Sequence, residues 1–99
     1  MKVKNLTGTG SRTCRCANWL EHWRKHNTAH QNLPTCCPVT TCSGMDLVGA
    51  HVVKAESEDS GVYICPLCSV HSSSTDILQV DCTLAPANVS ETCGKWGYW

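Results

Sequence analysis

Apolar and polar positions keep a regular period in only a few stretches of this chain, and each stretch predicts an element. Trp19, His22, Trp23, His26 and His30 recur at steps of three and four, which lines them along one side of a helix from about Ala17 to His30. That side is apolar at its start and rich in imidazole at its end. Pro34 stops the pattern, and the stretch from Thr35 to Gly44 is dense in Cys, Pro, Thr and Gly, which predicts a loop carrying thiols. Leu47-Val48-Gly49-Ala50-His51-Val52-Val53 is β-prone, and its one glycine marks a bulge or the close approach of another backbone. After the acidic turn Glu56 to Gly61, Val62-Tyr63-Ile64 predicts a second strand that runs into Cys65-Pro66-Leu67-Cys68. The two strands together predict a hairpin. Ile77 to Val80 is a further short apolar run, and Ser72 to Ser74 with Thr75 and Asp76 predict either a helix cap or a loop. Residues 1–13 show neither period and read as an arm.

Composition changes this picture by thinning the core. The 99 residues include no Phe and 6% aromatic residues, but nine cysteines. A chain of this size exposes much surface relative to its interior, so covalent or metal staples are expected. Disulfides and metal ions are the two candidates. The first ten residues lack the apolar stretch of a signal peptide, and the cysteine count is odd, so reduced thiols acting as metal ligands in a cytoplasmic protein are expected. No run approaches the roughly 20 apolar residues of a membrane span. The net charge is zero, but residues 1–54 hold Lys2, Lys4, Arg12, Arg15, Arg24, Lys25 and Lys54 against only Glu21 and Asp46, and residues 55–99 reverse the balance. One basic face for nucleic acid or an acidic protein partner, or a merely dipolar solvated surface, both follow from this.

The spacing of soft ligands carries the chemistry. Cys37 and Cys42 form one pair and Cys68 and His71 another, and four such ligands complete the tetrahedral shell of a structural Zn²⁺. Adjacent Cys36 and Cys37 do not both face one ion. Cys65 competes with His71, because Cys65-Pro66-Leu67-Cys68 has knuckle spacing; alternation along the strand turns Cys65 toward the core, which favours Cys68 and His71. A second ion is expected from Cys14, Cys16 and Cys93, with His22 or His26 as the fourth ligand. Spacing gives Cys82 no partner. The expected organisation is one zinc-binding domain over 1–99, with an arm (1–13), a Cys-x-Cys and helix (14–34), a core (35–80) and a tail (81–99).

The order Cys37…Cys42, then Leu47-Val48-Gly49-Ala50-His51-Val52, then Tyr63-Ile64-Cys65-Pro66-Leu67-Cys68-Ser69-Val70-His71 resembles the treble-clef fold of HNH endonucleases over residues 36–75. The resemblance implies a small α+β fold in which a zinc-stapled β-hairpin packs on a helix. It also implies that His51 matches the family's general base, which takes a proton from water attacking a phosphodiester with Mg²⁺ or another divalent ion at the site. Two positions depart from the pattern: Ala50 stands where many members have an acidic metal ligand, and Ser72 where a final histidine follows the zinc ligand. No central asparagine lies between His51 and Cys68. The expected function is therefore a zinc-stabilised, non-catalytic module that binds nucleic acid or a protein, with an HNH-type nuclease using His51 as the alternative. Small size suits an accessory protein of a phage or mobile element.

Overall fold

The computed structural model describes residues 1–6, 18–27, 29, 31–59 and 61–87. Strand β1 (Lys2–Asn5) is followed by helix α1 (Trp19–His26), the hairpin of β2 (Leu47–Lys54) and β3 (Val62–Cys68), the single-turn helix α2 (Ser69–Ser72), and the short strands β4 (Ile77–Gln79) and β5 (Ala85–Pro86). The strands form one antiparallel sheet in the order β4-β1-β2-β3-β5. The fold is thus small α+β, a five-stranded sheet with two helices.

The hairpin is the centre of the sheet. Seven residue pairs run from Leu47↔Cys68 to Val53↔Val62, so the strand starting at Val62 continues through Pro66 to Cys68. A proline is accommodated there because, among the described residues, β3 has an outer neighbour only at Tyr63 and Ile64, with no strand to receive an N–H further along. Alternation then sorts the side chains. Ala50 and Val52 on β2, Cys65 and Leu67 on β3, Val3 on β1 and Leu78 on β4 are all buried, and they form one core with Cys37, Cys68, Val80 and Leu84. The opposite face carries α1, where Trp23 packs in a second cluster with Ile64, Ala85 and Ala87.

Gly49 permits that helix to sit down. A Cβ at this position would lie 2.4 Å from both the Leu20 amide nitrogen and the Trp19 carbonyl carbon, so the glycine expected to mark a close approach does so against the first turn of α1. Asn18 caps that turn by accepting from the Glu21 N–H at 2.8 Å.

Two elements differ from the expectation. The helix ends at His26, with Asn27 as its C-cap, and not near His30, which lies outside the described residues. The cause is the buried Asn27 side chain. Its amide donates to the carbonyls of Trp23 and Gln31 at 3.0 Å each, and its oxygen accepts from the Gln31 N–H at 2.6 Å, so the chain turns out of the helix seven residues before Pro34. The second difference is the start of the chain. Lys2–Asn5, expected to be arm, is an interior strand between β4 and β2. Only Val3 of its four residues is apolar and buried, too few for a period-two signal to show in the sequence.

Candidate metal centre

Three separate pieces of chain bring four soft ligand atoms together. The first is the loop before β2. Its residues hang on the end of β4 through main-chain bonds, Thr40 N–H to Gln79 O at 3.0 Å and Asp81 N–H to Pro38 O at 2.9 Å. Within it the Cys37 N–H donates to Gly44 O at 2.7 Å and the Gly44 N–H to the Cys42 sulfur at 3.4 Å, which folds Cys37 and Cys42 toward one point. Thr41 takes φ +67°, a backbone state that costs a β-branched residue about 1–3 kcal/mol and persists only where its surroundings enforce it. The second piece is the end of β3, which supplies Cys68 as the N-cap of α2. The third is α2 itself, whose single turn raises His71 over the same point.

The Sγ atoms of Cys37, Cys42 and Cys68 and a ring nitrogen of His71 all lie within 4.8 Å of one another. His71 Nδ1 is 3.2 Å from Cys68 Sγ and 3.6 Å from Cys37 Sγ, and Cys42 Sγ is 3.9 Å from Cys68 Sγ. A tetrahedron with sulfur about 2.3 Å and nitrogen about 2.0–2.1 Å from its centre has S···S edges near 3.8 Å and S···N edges near 3.6 Å. The arrangement could hold one metal ion. Gly44 closes it from the side, since a Cβ there would meet Cys68 Cβ at 2.9 Å.

The thiols of the cluster are not equivalent. Burial pushes the Cys37 thiol up to about 11. Burial acts in the same direction on Cys68, but the His71 N–H, the His71 ring and the thiols of Cys37 and Cys42 outweigh it and hold Cys68 at about 7. Cys68 is therefore ready to be a thiolate near neutral pH, the form a metal requires.

The structure separates the four from their competitors. Cys36 is half-buried beside Cys37 and does not join the group. Cys65 is fully buried in the core but is not one of the four, and its sulfur lies 3.5 Å from that of Cys82, a partner that spacing alone did not reveal. Of the residues expected at a second ion, Cys14, Cys16 and Cys93 lie outside the described residues. His22 is fully buried under α1, with Nε2 2.7 Å from the Pro86 carbonyl oxygen, and burial keeps its imidazole below the ordinary histidine value. Its ring also lies tilted against those of Trp19 and His26, at 4.9 and 5.0 Å between centroids.

His51 sits mid-strand, paired with Ile64, on the face that α1 covers. It is 7% exposed, and its ring meets Trp19 edge-on at 4.5 Å. Among the described residues, the only group of three or more His, Cys, Asp or Glu side chains close enough to share an ion is the Cys37, Cys42, Cys68 and His71 set, and His51 is not part of it. Also among the described residues, no helix is long and apolar enough to cross a membrane. The fold and this cluster define a small α+β protein with a Cys₃His cluster that could hold a metal ion. Comparison with protein-family models, with curated proteins and with solved structures finds no significant match to the chain.

Proposed function

We propose that the chain is a binding module whose fold is fastened by one structural Zn²⁺ held by Cys37, Cys42, Cys68 and His71. The observation that carries this reading is the ligand set itself: three sulfurs and one nitrogen within 4.8 Å of one another, enough ligands to fill the tetrahedral shell of a structural ion. A catalytic zinc keeps such a position, and a structural one fills it. The chain order supports a treble-clef-like reading, because a thiol pair precedes the β2–β3 hairpin and the other two ligands come from its last residue, Cys68, and from the turn that follows it. The nuclease reading of His51 loses support from its burial against Trp19.

A protein partner suits the surface better than a nucleic acid. Three of the five basic side chains described in the first half are paired, Lys2 with Glu56 and Lys54 with Asp59, each at 3.2 Å, and Arg24 with Glu21, while Lys4 and Lys25 are exposed. Such pairing cancels positive charge that phosphate would otherwise meet. X-ray absorption of the purified protein tests the metal, with three sulfurs near 2.3 Å and one nitrogen near 2.0–2.1 Å expected. A metal-free protein that folds normally would refute the reading. Binding to duplex and single-stranded DNA at low salt tests the partner, and tight association that falls steeply with salt would reverse the preference for protein.

A further inference from the structure

The geometry points to Cys65 and Cys82 as a dithiol that closes to a disulfide while the metal centre stays intact. Their sulfurs are 3.5 Å apart across a sequence separation of 17 residues. A disulfide needs about 2.05 Å, so the two sulfurs must close about 1.5 Å, a distance that small rotations about the two Cα–Cβ bonds can share. Both backbones are already fixed where the bond would form. Cys65 is held mid-strand opposite Ala50. Cys82 is pinned on both sides: the preceding Asp81 N–H donates to Pro38 O at 2.9 Å, and the following Thr83 donates its N–H to Gln31 Oε1 at 3.0 Å and accepts from Trp23 Nε1 at 2.9 Å. Neither sulfur belongs to the four-ligand cluster.

The two thiols have different access. Cys65 is fully buried, whereas Cys82 is only half-buried and packs against both core clusters. An oxidant therefore reaches Cys82 first. With a small-molecule disulfide such as oxidised glutathione, the Cys82 thiolate attacks one glutathione sulfur, breaks that S–S bond and releases one glutathione thiolate. Cys65 then gives its proton to the released thiolate and attacks Cys82 Sγ, which breaks the mixed disulfide and expels the second glutathione. The protein dithiol loses two electrons and two protons, and one glutathione disulfide becomes two thiols. The closed bond would tie β3 to the segment that leads into β5.

The test is equilibration of the full, zinc-loaded chain in reduced and oxidised glutathione, followed by alkylation and cleavage before aspartate. Asp59, Asp76 and Asp81 then place Cys65 on fragment 59–75 and Cys82 on fragment 81–99. The expected product is a cross-link between these fragments, assigned by fragmentation to Cys65 and Cys82, with loss of two alkylatable thiols and no loss of zinc by elemental analysis. Cys82→Ser should abolish the cross-link, and Cys36→Ser should leave it. Alkylation of both Cys65 and Cys82 after exposure to fully oxidised glutathione would overturn the proposal. So would a cross-link through Cys68 or Cys93, or closure that occurs only as zinc is released. Zinc content is read on the same sample, so failure of the metal reading is seen separately.

Discussion

The side-chain amide of Asn5 donates to the main-chain carbonyl of His71 at 2.8 Å and to that of Ser74 at 2.9 Å. An interior strand of the sheet thereby holds the C-terminal end of the turn that carries His71, the proposed nitrogen ligand. Replacing Asn5 by Ala should leave the four ligands in place yet loosen the orientation of His71. Loss of a group that orients a metal ligand typically costs about 10–100-fold in affinity, and a zinc competition titration should show a change of that order. Wild-type affinity in Asn5→Ala would mean that α2 is held without β1.

The thiol ligands should separate from the bystander thiol. Cys37→Ser, Cys42→Ser and Cys68→Ser each open the shell, so each should weaken zinc by more than the roughly 10–100-fold expected for a supporting residue, and each should lower the thermal midpoint with it. Cys36 is not one of the four clustered residues, and Cys36→Ser should match wild type in both measurements. Equal effects at all four positions would remove the meaning of the ligand assignment.

Burial gives His51 a packing role. His51→Ala removes the edge-on ring contact with Trp19 and leaves a gap beneath α1, with an expected loss of about 1–3 kcal/mol in denaturant unfolding. Plasmid nicking with Mg²⁺, Mn²⁺ or Ni²⁺ should be at background for wild type and variant alike. Robust nicking by wild type that His51→Ala abolishes at unchanged zinc content would establish the nuclease alternative instead.

Gly49→Ala is the sharpest test of how α1 is seated. The new methyl would meet main-chain atoms of Trp19 and Leu20 at 2.4 Å, and backbone cannot swing aside as a side chain can. The helix must lift or the strand must bend, at about 1–3 kcal/mol or more. A variant as stable as wild type would show that the helix does not lie where it is described.

Acid should report on the turn between β2 and β3. Tyr63 donates its hydroxyl to Asp59 at 2.6 Å, the Gly61 N–H donates at 2.8 Å and Lys54 lies 3.2 Å away; together these hold the Asp59 carboxyl at about 2. Its folded value is below the ordinary value near 3.9, so the folded state binds the proton more weakly than the unfolded chain. The stabilisation is present above pH 4 and is lost as pH falls from about 4 to about 2. Side-chain NMR titration should find Asp59 as a low-titrating carboxyl, and Tyr63→Phe should move it upward. An Asp59 that titrates near 4 in the wild type would contradict the contacts.

What could be read from sequence follows from how local each signal is. The hairpin, the glycine approach and the grouping of Cys37, Cys42, Cys68 and His71 were legible because periodicity and ligand spacing act within a few residues. The placement of Cys65 was legible too, since alternation from Val62 turns it inward. The strand at Lys2–Asn5 was not, because its pairing partners lie at Val52–Lys54 and Ile77–Gln79 and its own residues carry one apolar side chain. Asn27 was missed because a buried amide ending a helix looks in sequence like any polar residue. The contact between Cys65 and Cys82 depends on the course of the chain after β4, which no motif encodes. The buried contact of His22 with Pro86, a residue 64 positions away, was not legible in the sequence either, because no local pattern joins the two.

The interior position of β1 sets an order of assembly. Its two neighbours come from roughly 50 and 75 residues further along the chain, so closing the sheet requires large loops to be shut. The proposed metal centre asks much less, because all four of its residues fall between 37 and 71 and flank one hairpin. During synthesis the hairpin and its ion are therefore expected to form a nucleus while the earliest-made strand is still waiting for β4. Pulsed hydrogen exchange should protect β2 and β3 before β1, and zinc should speed the first phase and leave the second unchanged. On that account the ion is a folding template as well as a fastening.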